Sequence, residues 1–146
     1  MATLVKPSLT IKRRFNAPPP KVFAAWTDPE KIRAWMGPGE VGILLVEADA
    51  RVGGRYRIVM QKPGDSEQHD VSGVYREVIA NEKLVFTWAW KTTPERESLV
   101  TVTFKPDGGG TLMTLSHEQF FDEAARDRHN SGWSATMPKL EAFLAR

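Results

Sequence analysis

The chain has 146 residues, of which 41% are hydrophobic and 26% charged, and its 20 basic and 18 acidic side chains leave a net charge of +2. These values are typical of one globular domain, and the near-balance of charge argues against nucleic-acid binding although the pI is 9.0. The sequence has no cysteine, which excludes disulfides and thiolate chemistry. Because it also has neither a signal peptide nor an apolar run of about 20 residues, we expect a cytoplasmic protein that does not insert in a membrane.

The first part of the chain predicts one strand followed by two short helices. Residues 9–15 largely alternate apolar with polar or basic side chains, which is typical of a strand. The prolines at 18–20 end strand pairing and suit the first turn of a helix. Asp28 before Pro29 predicts the N-cap of a second helix, which ends before Gly37.

The middle of the chain predicts about six further strands, separated by glycine, proline, asparagine or aspartate at the turns. The strands are expected at about residues 43–48, 56–60, 71–79, 84–90, 100–104 and 111–117. Short connections between them favour an antiparallel sheet. Glu47 interrupts an apolar run whose two faces are both apolar, so the sequence leaves open whether this side chain faces inward or outward.

A long helix is predicted at the end of the chain. Residues 123–146 carry an apolar stripe that includes Trp133 and Met137, and at 1.5 Å per residue the helix would span about 36 Å. Pro138 lies inside this helix and cannot donate to the carbonyl of Ser134, so a kink or bend is expected there. Helices beside an antiparallel sheet predict an α+β domain.

The element order and several motifs together resemble a known family. The matching motifs, in chain order, are Trp26-Thr27-Asp28-Pro29-Glu30, Trp35 with Gly37-Pro38, residues 49–56, 73–77 and 84–88, Gly110-Thr111, His117, His129, Gly132-Trp133 and Leu140. Over about residues 8–146, the chain is similar to the activator of heat-shock-chaperone (90-kDa) ATPase homologue-like family, within the START/SRPBCC (birch-pollen-allergen-like) superfamily. It departs from the family at Met36, where a second tryptophan is common, and at Pro138, where leucine is usual.

The resemblance implies the helix-grip fold. In that fold a seven-stranded antiparallel sheet wraps around a long C-terminal helix, and two short helices follow the first strand and plug one end. The resemblance also implies a cavity between helix and sheet, because the superfamily includes lipid carriers, hormone-binding proteins and aromatic cyclases. We therefore expect a single START/SRPBCC-like domain over residues 1–146, with about residues 1–8 as a flexible N-terminal segment.

Aromatic side chains are the first candidates for the wall of such a cavity. Binding pockets are largely apolar and aromatic, so Phe86, Trp88, Trp90 and Trp133 either line one or, as buried aromatics more often do, fill an ordinary core. The candidates for lining the cavity are Trp35, Tyr56, Phe86, Trp88, Met113, His117, Trp133 and Met137.

The histidines leave two alternatives open. His117 shares a strand face with Met113, where it either makes one directed contact to a ligand or acts as a base, or simply satisfies a backbone group at the strand end. His129, four residues before Trp133, either approaches the pocket or packs at the surface. Three scattered histidines without cysteine predict no metal site, and Gly108-Gly109-Gly110 lacks the lysine of a phosphate loop.

Three functions remain at this point. The favoured one is binding of a small hydrophobic or amphipathic ligand in an internal cavity between sheet and C-terminal helix. The alternative is an enzyme using the same cavity, cyclase or hydrolase-like, for which no catalytic residue is assigned. A co-chaperone acting on the 90-kDa heat-shock protein is least favoured, because the activators that gave the family its name carry an additional N-terminal domain, for which 146 residues leave no room. No cofactor and no nucleic acid is expected, and the oligomeric state is left open.

Overall fold

The computed structural model describes residues 6–146. In chain order the elements are β1 (Leu9–Phe15), α1 (Pro19–Thr27), α2 (Pro29–Trp35), β2 (Gly42–Ala48), β3 (Arg55–Gln61), β4 (His69–Ile79), β5 (Lys83–Trp90), β6 (Ser98–Asp107), β7 (Gly110–Glu118) and α3 (Glu123–Leu144). The predicted α+β order and helix-grip architecture are confirmed. Of the flexible segment expected over residues 1–8, residues 1–5 lie outside the described residues.

The sheet has seven strands in the order β1-β7-β6-β5-β4-β3-β2, and every neighbouring pair is antiparallel. The first strand therefore pairs with the last one, and Leu9 lies opposite His117. The turn between β6 and β7 is shorter than the gap left between the strands expected at 100–104 and 111–117, because β6 continues to Asp107 and pairs it with Gly110. The two glycines between them have φ of 56° and 84°, which a two-residue hairpin turn requires.

Two short helices close one end of the sheet. Asp28 caps α2 by accepting a hydrogen bond from the Glu30 backbone N–H at 3.0 Å, as the sequence predicted. The rings of Trp26 and Trp35 meet edge to face at 4.8 Å, and the Trp35 Nε1–H donates to the Ala25 carbonyl oxygen at 2.8 Å. Trp35 thus joins α1 and α2 in the solid core.

The long helix α3 continues unbroken through Pro138 and ends at Leu144. Pro138 and Ser134 are both exposed, so the missing backbone hydrogen bond lies on the outer side of the helix. The bend expected at this position stays a prediction. None of the helices in residues 6–146 has the length and apolarity that a bilayer span requires.

Glu47 faces outward from β2. Its side chain is exposed, and its cross-strand partner in β3 is Arg57, a residue of opposite charge. The question that the sequence left open is therefore settled in favour of the solvent face, and this carboxylate needs no buried partner.

Candidate functional site

A cleft of about 670 Å³ lies between the N-terminal half of α3 and the sheet. Its other walls come from β3, from the end of the β3–β4 loop and the start of β4, and from β5 with the loop to β6 and its first residue. The connection between β7 and α3 and the segment that follows α2 complete them. Several residues on its rim are exposed, among them Lys91, Arg96 and Arg128. The space is therefore a cleft open to solvent and not a closed internal cavity.

One face of α3 forms the helical wall. The residues on it recur at intervals of one, three or four, and they are Ala125, Arg128, His129, Gly132, Trp133 and Thr136. Gly132 leaves a gap in this face, because a Cβ built there would meet no heavy atom within 4 Å. The width of the cleft at this turn of the helix thus depends on the missing side chain.

Tryptophans form the opposite wall. Trp88 and Trp90 both border the cleft from β5, with ring centroids 5.6 Å apart and planes at 90°. The ring of Trp133 on α3 lies 5.2 Å from that of Trp88, so the helix and the strand meet through these two indoles. Together the three rings make a rigid, largely apolar surface.

His117 lies behind this wall, fully buried at the end of β7. The Trp133 Nε1–H donates to His117 Nδ1 at 3.0 Å, which places the ring proton on Nε2. That N–H then donates to Ser98 Oγ at 2.7 Å, and the Ser98 hydroxyl donates to the Trp88 carbonyl oxygen at 3.1 Å. Both ring nitrogens are therefore engaged by protein groups, and His117 ties the two tryptophan-bearing elements together.

His129 repeats the arrangement with the opposite tautomer. It accepts at Nε2 from the Trp90 Nε1–H at 2.9 Å, and its Nδ1–H donates to the Ala125 carbonyl oxygen at 2.7 Å. Phe120 packs against both imidazoles, with ring centroids 4.2 Å from His117 and 4.9 Å from His129, and the two imidazoles are 5.1 Å apart. Each histidine thus orients one indole of the cleft wall.

Both imidazoles are held neutral. Burial, with a smaller contribution from the neighbouring His129, lowers the pKa of His117 from 6.5 to about 2. Burial also lowers the pKa of His129, whose charged form is further opposed by Arg128 and favoured only by its backbone hydrogen bond. Near neutral pH the two rings therefore keep the acceptor nitrogens that the tryptophans require.

Charged pairs and a lysine shape the rim. Arg57 binds Asp70 through two hydrogen bonds of 3.1 and 2.8 Å, which lower the pKa of that carboxyl. The Arg96 guanidinium lies 3.9 Å from the centre of the Phe121 ring. Lys139 of α3 donates to the Gly37 carbonyl oxygen at 2.7 Å, and this hydrogen bond joins the helix to the segment that follows α2. Among residues 6–146, no three His, Asp or Glu side chains come together as metal ligands would.

A second, much smaller space of about 20 Å³ lies between the two short helices and the sheet. Its apolar lining includes Phe86 and Ile58. Trp88 and Met36 border both this space and the cleft, so they form the partition between the two. We call this space the inner void.

The structure distributes the eight sequence candidates over three places. Trp88 and Trp133 border the cleft, whereas Tyr56 and Phe86 border the inner void together with Trp88. Tyr56 is fixed there because its hydroxyl donates to the Thr87 carbonyl oxygen. Trp35, Met113, His117 and Met137 are 0–1% exposed in the solid core and do not border the cleft, although His117 lies directly behind its wall.

Three residues that matter at the cleft were not among those candidates: Trp90, Phe120 and His129. The sequence offered a signal for Trp90, which alternates with Trp88 in β5 and so shares its face. It also offered one for His129, four residues before Trp133 on the helix. Phe120 had no such signal, because it lies in the connection between β7 and α3.

The sequence and the fold both match known proteins. Residues 16–145 match the family model described as Activator of Hsp90 ATPase homolog 1-like protein. No curated protein matches the sequence. The AHSA1 protein from Silicibacter pomeroyi is 30% identical with a TM-score of 0.85, over 95% of this chain and 98% of that chain.

Two further solved structures have the same fold. Protein CV1439 from Chromobacterium violaceum is 24% identical with a TM-score of 0.88, over 95% of this chain and 97% of that chain. CalU16 from Micromonospora echinospora is 25% identical with a TM-score of 0.70, over 94% of this chain and 76% of that chain. By the extent of the family match and the 30% identity to a relative that it covers almost completely, the chain belongs to the family of Activator of Hsp90 ATPase homolog 1-like proteins.

Proposed function

We propose that this protein binds a small hydrophobic or amphipathic molecule in the cleft between α3 and the sheet. The observation that carries the proposal is a cleft of about 670 Å³ walled by Trp88, Trp90 and Trp133. Sites for small molecules have volumes of about 300–1,000 Å³ and combine aromatic walls with a few polar groups. Family membership supports the same reading, since the superfamily commonly binds hydrophobic ligands.

The distribution of polarity favours an amphipathic ligand. The tryptophan wall is apolar and lies inside, whereas Lys91, Arg96 and Arg128 stand with Glu67 at the exposed rim. A molecule with an apolar body and a polar end satisfies both regions, because its body displaces water from the aromatic rings while its polar end stays hydrated.

His117 and His129 support binding more than catalysis. A general base needs a free ring nitrogen within reach of the substrate. All four ring nitrogens of His117 and His129 are engaged by protein groups, and the low pKa of His117 makes it a poor proton acceptor. The chaperone activation named in the family description concerns a protein partner, and a concave aromatic cleft fits a small molecule better.

Two measurements test the proposal. Native mass spectrometry of freshly purified protein should show a co-purified molecule, and calorimetry with the apolar probe 2-ethylnaphthalene should show saturable binding of one molecule per chain. Trp90→Ala removes a half-buried ring of the wall and should weaken binding, whereas Phe143→Ala removes a half-buried ring outside the cleft and should not. The proposal would be refuted if no molecule co-purifies and the probe shows no saturable binding.

A further inference from the structure

We infer that the inner void takes one uncharged oxygen acceptor of the ligand, such as a ketone or hydroxyl oxygen, at the end of the ligand opposite the hydrated rim. The inference rests on the proposed function, because the ligand must first occupy the cleft. It adds the chemical class of the group that the ligand presents at its inner end.

Two buried indole N–H groups lack a hydrogen-bond acceptor from the protein. Trp26 and Trp88 are 4% and 5% exposed, and neither buried Nε1 has a hydrogen-bond partner among residues 6–146. The other three tryptophans donate to Ala25 O, His129 Nε2 and His117 Nδ1 at 2.8–3.0 Å. Since buried donors are almost always paired, the two exceptions require an explanation.

Both exceptions border the same space. Trp26 comes from α1 and Trp88 from β5, and they are the two tryptophans on the lining of the inner void. Its volume of about 20 Å³ suits a single oxygen-sized group, since a water molecule needs about 10–15 Å³ measured in the same way. One oxygen with two lone pairs can accept from both indoles.

The chemistry of the lining selects an uncharged oxygen. The neighbours of the two indoles are largely apolar, and the Tyr56 hydroxyl is already committed to Thr87. Glu47, the one acidic residue on the lining, is exposed on the outer side. A carboxylate or phosphate in the void would lose its hydration without a basic side chain on the lining to compensate, which is unfavourable, whereas an uncharged ketone or hydroxyl oxygen needs only the indole donors.

The void is within reach of a ligand in the cleft. Met36 and Trp88 form the partition between them, and a methionine side chain adapts its shape readily because it is unbranched and has three rotatable bonds. The apolar body of the ligand then lies against Trp88 and Trp133, whose rings are 5.2 Å apart, while its acceptor passes Met36.

A matched pair of probes tests this assignment. 2-Acetylnaphthalene and 2-ethylnaphthalene have nearly the same shape and differ by one carbonyl oxygen. Calorimetry with the wild type should show tighter binding of the ketone by about three- to tenfold, the range expected for one net hydrogen bond. In ¹H–¹⁵N spectra the ketone, but not the hydrocarbon, should shift the indole Nε1–H signals of Trp26 and Trp88 downfield.

Variants assign the effect to its donors. Trp88→Phe and Trp26→Phe remove one N–H each and should reduce or abolish the preference for the ketone. Trp90→Phe is the matched control: it also lies on the cleft, but its N–H already belongs to His129, so both probes should weaken alike. The spectra of the wild type decide the matter if a variant fails to fold.

The outcomes separate this inference from the proposed function. Equal binding of both probes, with unshifted indole signals, would overturn the inference, assign the two N–H groups to bound water, and leave the proposed function standing. Binding of neither probe would refute both. A ketone preference that survives in both Trp88→Phe and Trp26→Phe would place the acceptor elsewhere and would also overturn it.

Discussion

The two halves of α3 meet the sheet in different ways. Six residues between Ala125 and Thr136 border an open cleft, whereas Met137, Leu140 and Leu144 are buried in the hydrophobic core and border no cleft. The helix is continuous across both, so the difference lies in the side chains and not in the backbone. Aliphatic side chains at helical spacing fill one half, and Gly132 leaves space in the other.

The two halves also differ in how their inward side chains are held. In the solid half, close packing of aliphatic groups fixes each position. In the open half, hydrogen bonds to His117 and His129 fix Trp133 and Trp90, which border the cleft. Substitutions in the solid half should therefore reduce stability, and substitutions in the open half should reduce ligand binding. His117 and His129 are the exceptions, because they hold the tryptophans in place.

The largest loss of stability is expected from Leu140→Ala in the solid half. Leu140 is fully buried, and truncation of such a leucine costs about 2–5 kcal/mol, since it loses apolar contacts and leaves a cavity. Urea denaturation measures the change in the free energy of unfolding. The folded variant should bind 2-ethylnaphthalene like the wild type. Unchanged stability with lost binding of the probe would contradict the difference between the two halves.

The next largest effect is expected from His117→Leu, behind the cleft wall. The substitution leaves the Trp133 indole N–H without its acceptor, and an unpaired buried donor costs about 1–3 kcal/mol. Because both ring nitrogens serve protein groups, we expect reduced stability with little change in probe affinity. A loss of affinity by tenfold or more at unchanged stability would instead make His117 a direct ligand contact.

Acid should destabilise the protein through the same histidine. In the unfolded chain the imidazole titrates at its ordinary pKa of 6.5, whereas the folded state lowers that pKa to about 2. The stabilisation is complete above pH 6.5 and is lost progressively as the pH falls toward 2, because the unfolded state binds the proton. Between pH 7 and pH 5 the loss is about 2 kcal/mol.

His117→Leu provides the control for this pH dependence. Both proteins share all other titrating groups, so the difference between their unfolding free energies isolates the one imidazole. The difference should shrink as the pH falls from 7 to 5. A constant difference over that interval would show that the folded state does not suppress protonation of His117.

The element order could be predicted because each turn carries a local signal, such as Gly108 and Gly109 between β6 and β7. The pairing of β1 with β7 could not, because it joins residues about a hundred positions apart without a local signal. The same limit applies to the cleft. Periodicity shows that Met113 and Trp88 face inward, but not how far away the facing element lies, and that distance separates a core residue from a wall residue.

The polar supports show a further limit of the sequence. The alternation of side chains along the strand predicts that His117 faces inward. Its hydrogen-bond partners Ser98 and Trp133 lie on β6 and α3, and only the tertiary fold brings them close. The alternatives of ligand contact and structural histidine therefore could not be separated before the hydrogen bonds were known.

The smallest change in stability is expected at Gly132, in the open half of α3. Gly132→Ala adds a methyl group in open space and replaces the residue that loses the most backbone entropy in a helix interior. Stability should rise by about 0.5–1 kcal/mol, measured by urea denaturation. A decrease in stability would mean that the added methyl group meets neighbouring atoms and that the space at Gly132 is not open.

The central claim is that the open half of α3 forms the wall of a ligand site, and Gly132→Leu tests it most directly against Gly132→Ala. Both variants keep the helix, but the leucine side chain extends from the cleft face of α3 into the cleft. Calorimetry with 2-ethylnaphthalene should show binding by the alanine variant and at least about tenfold weaker binding by the leucine variant, the equivalent of about 1.4 kcal/mol. Equal affinity of the two folded variants would contradict the assignment of the cleft as the binding site.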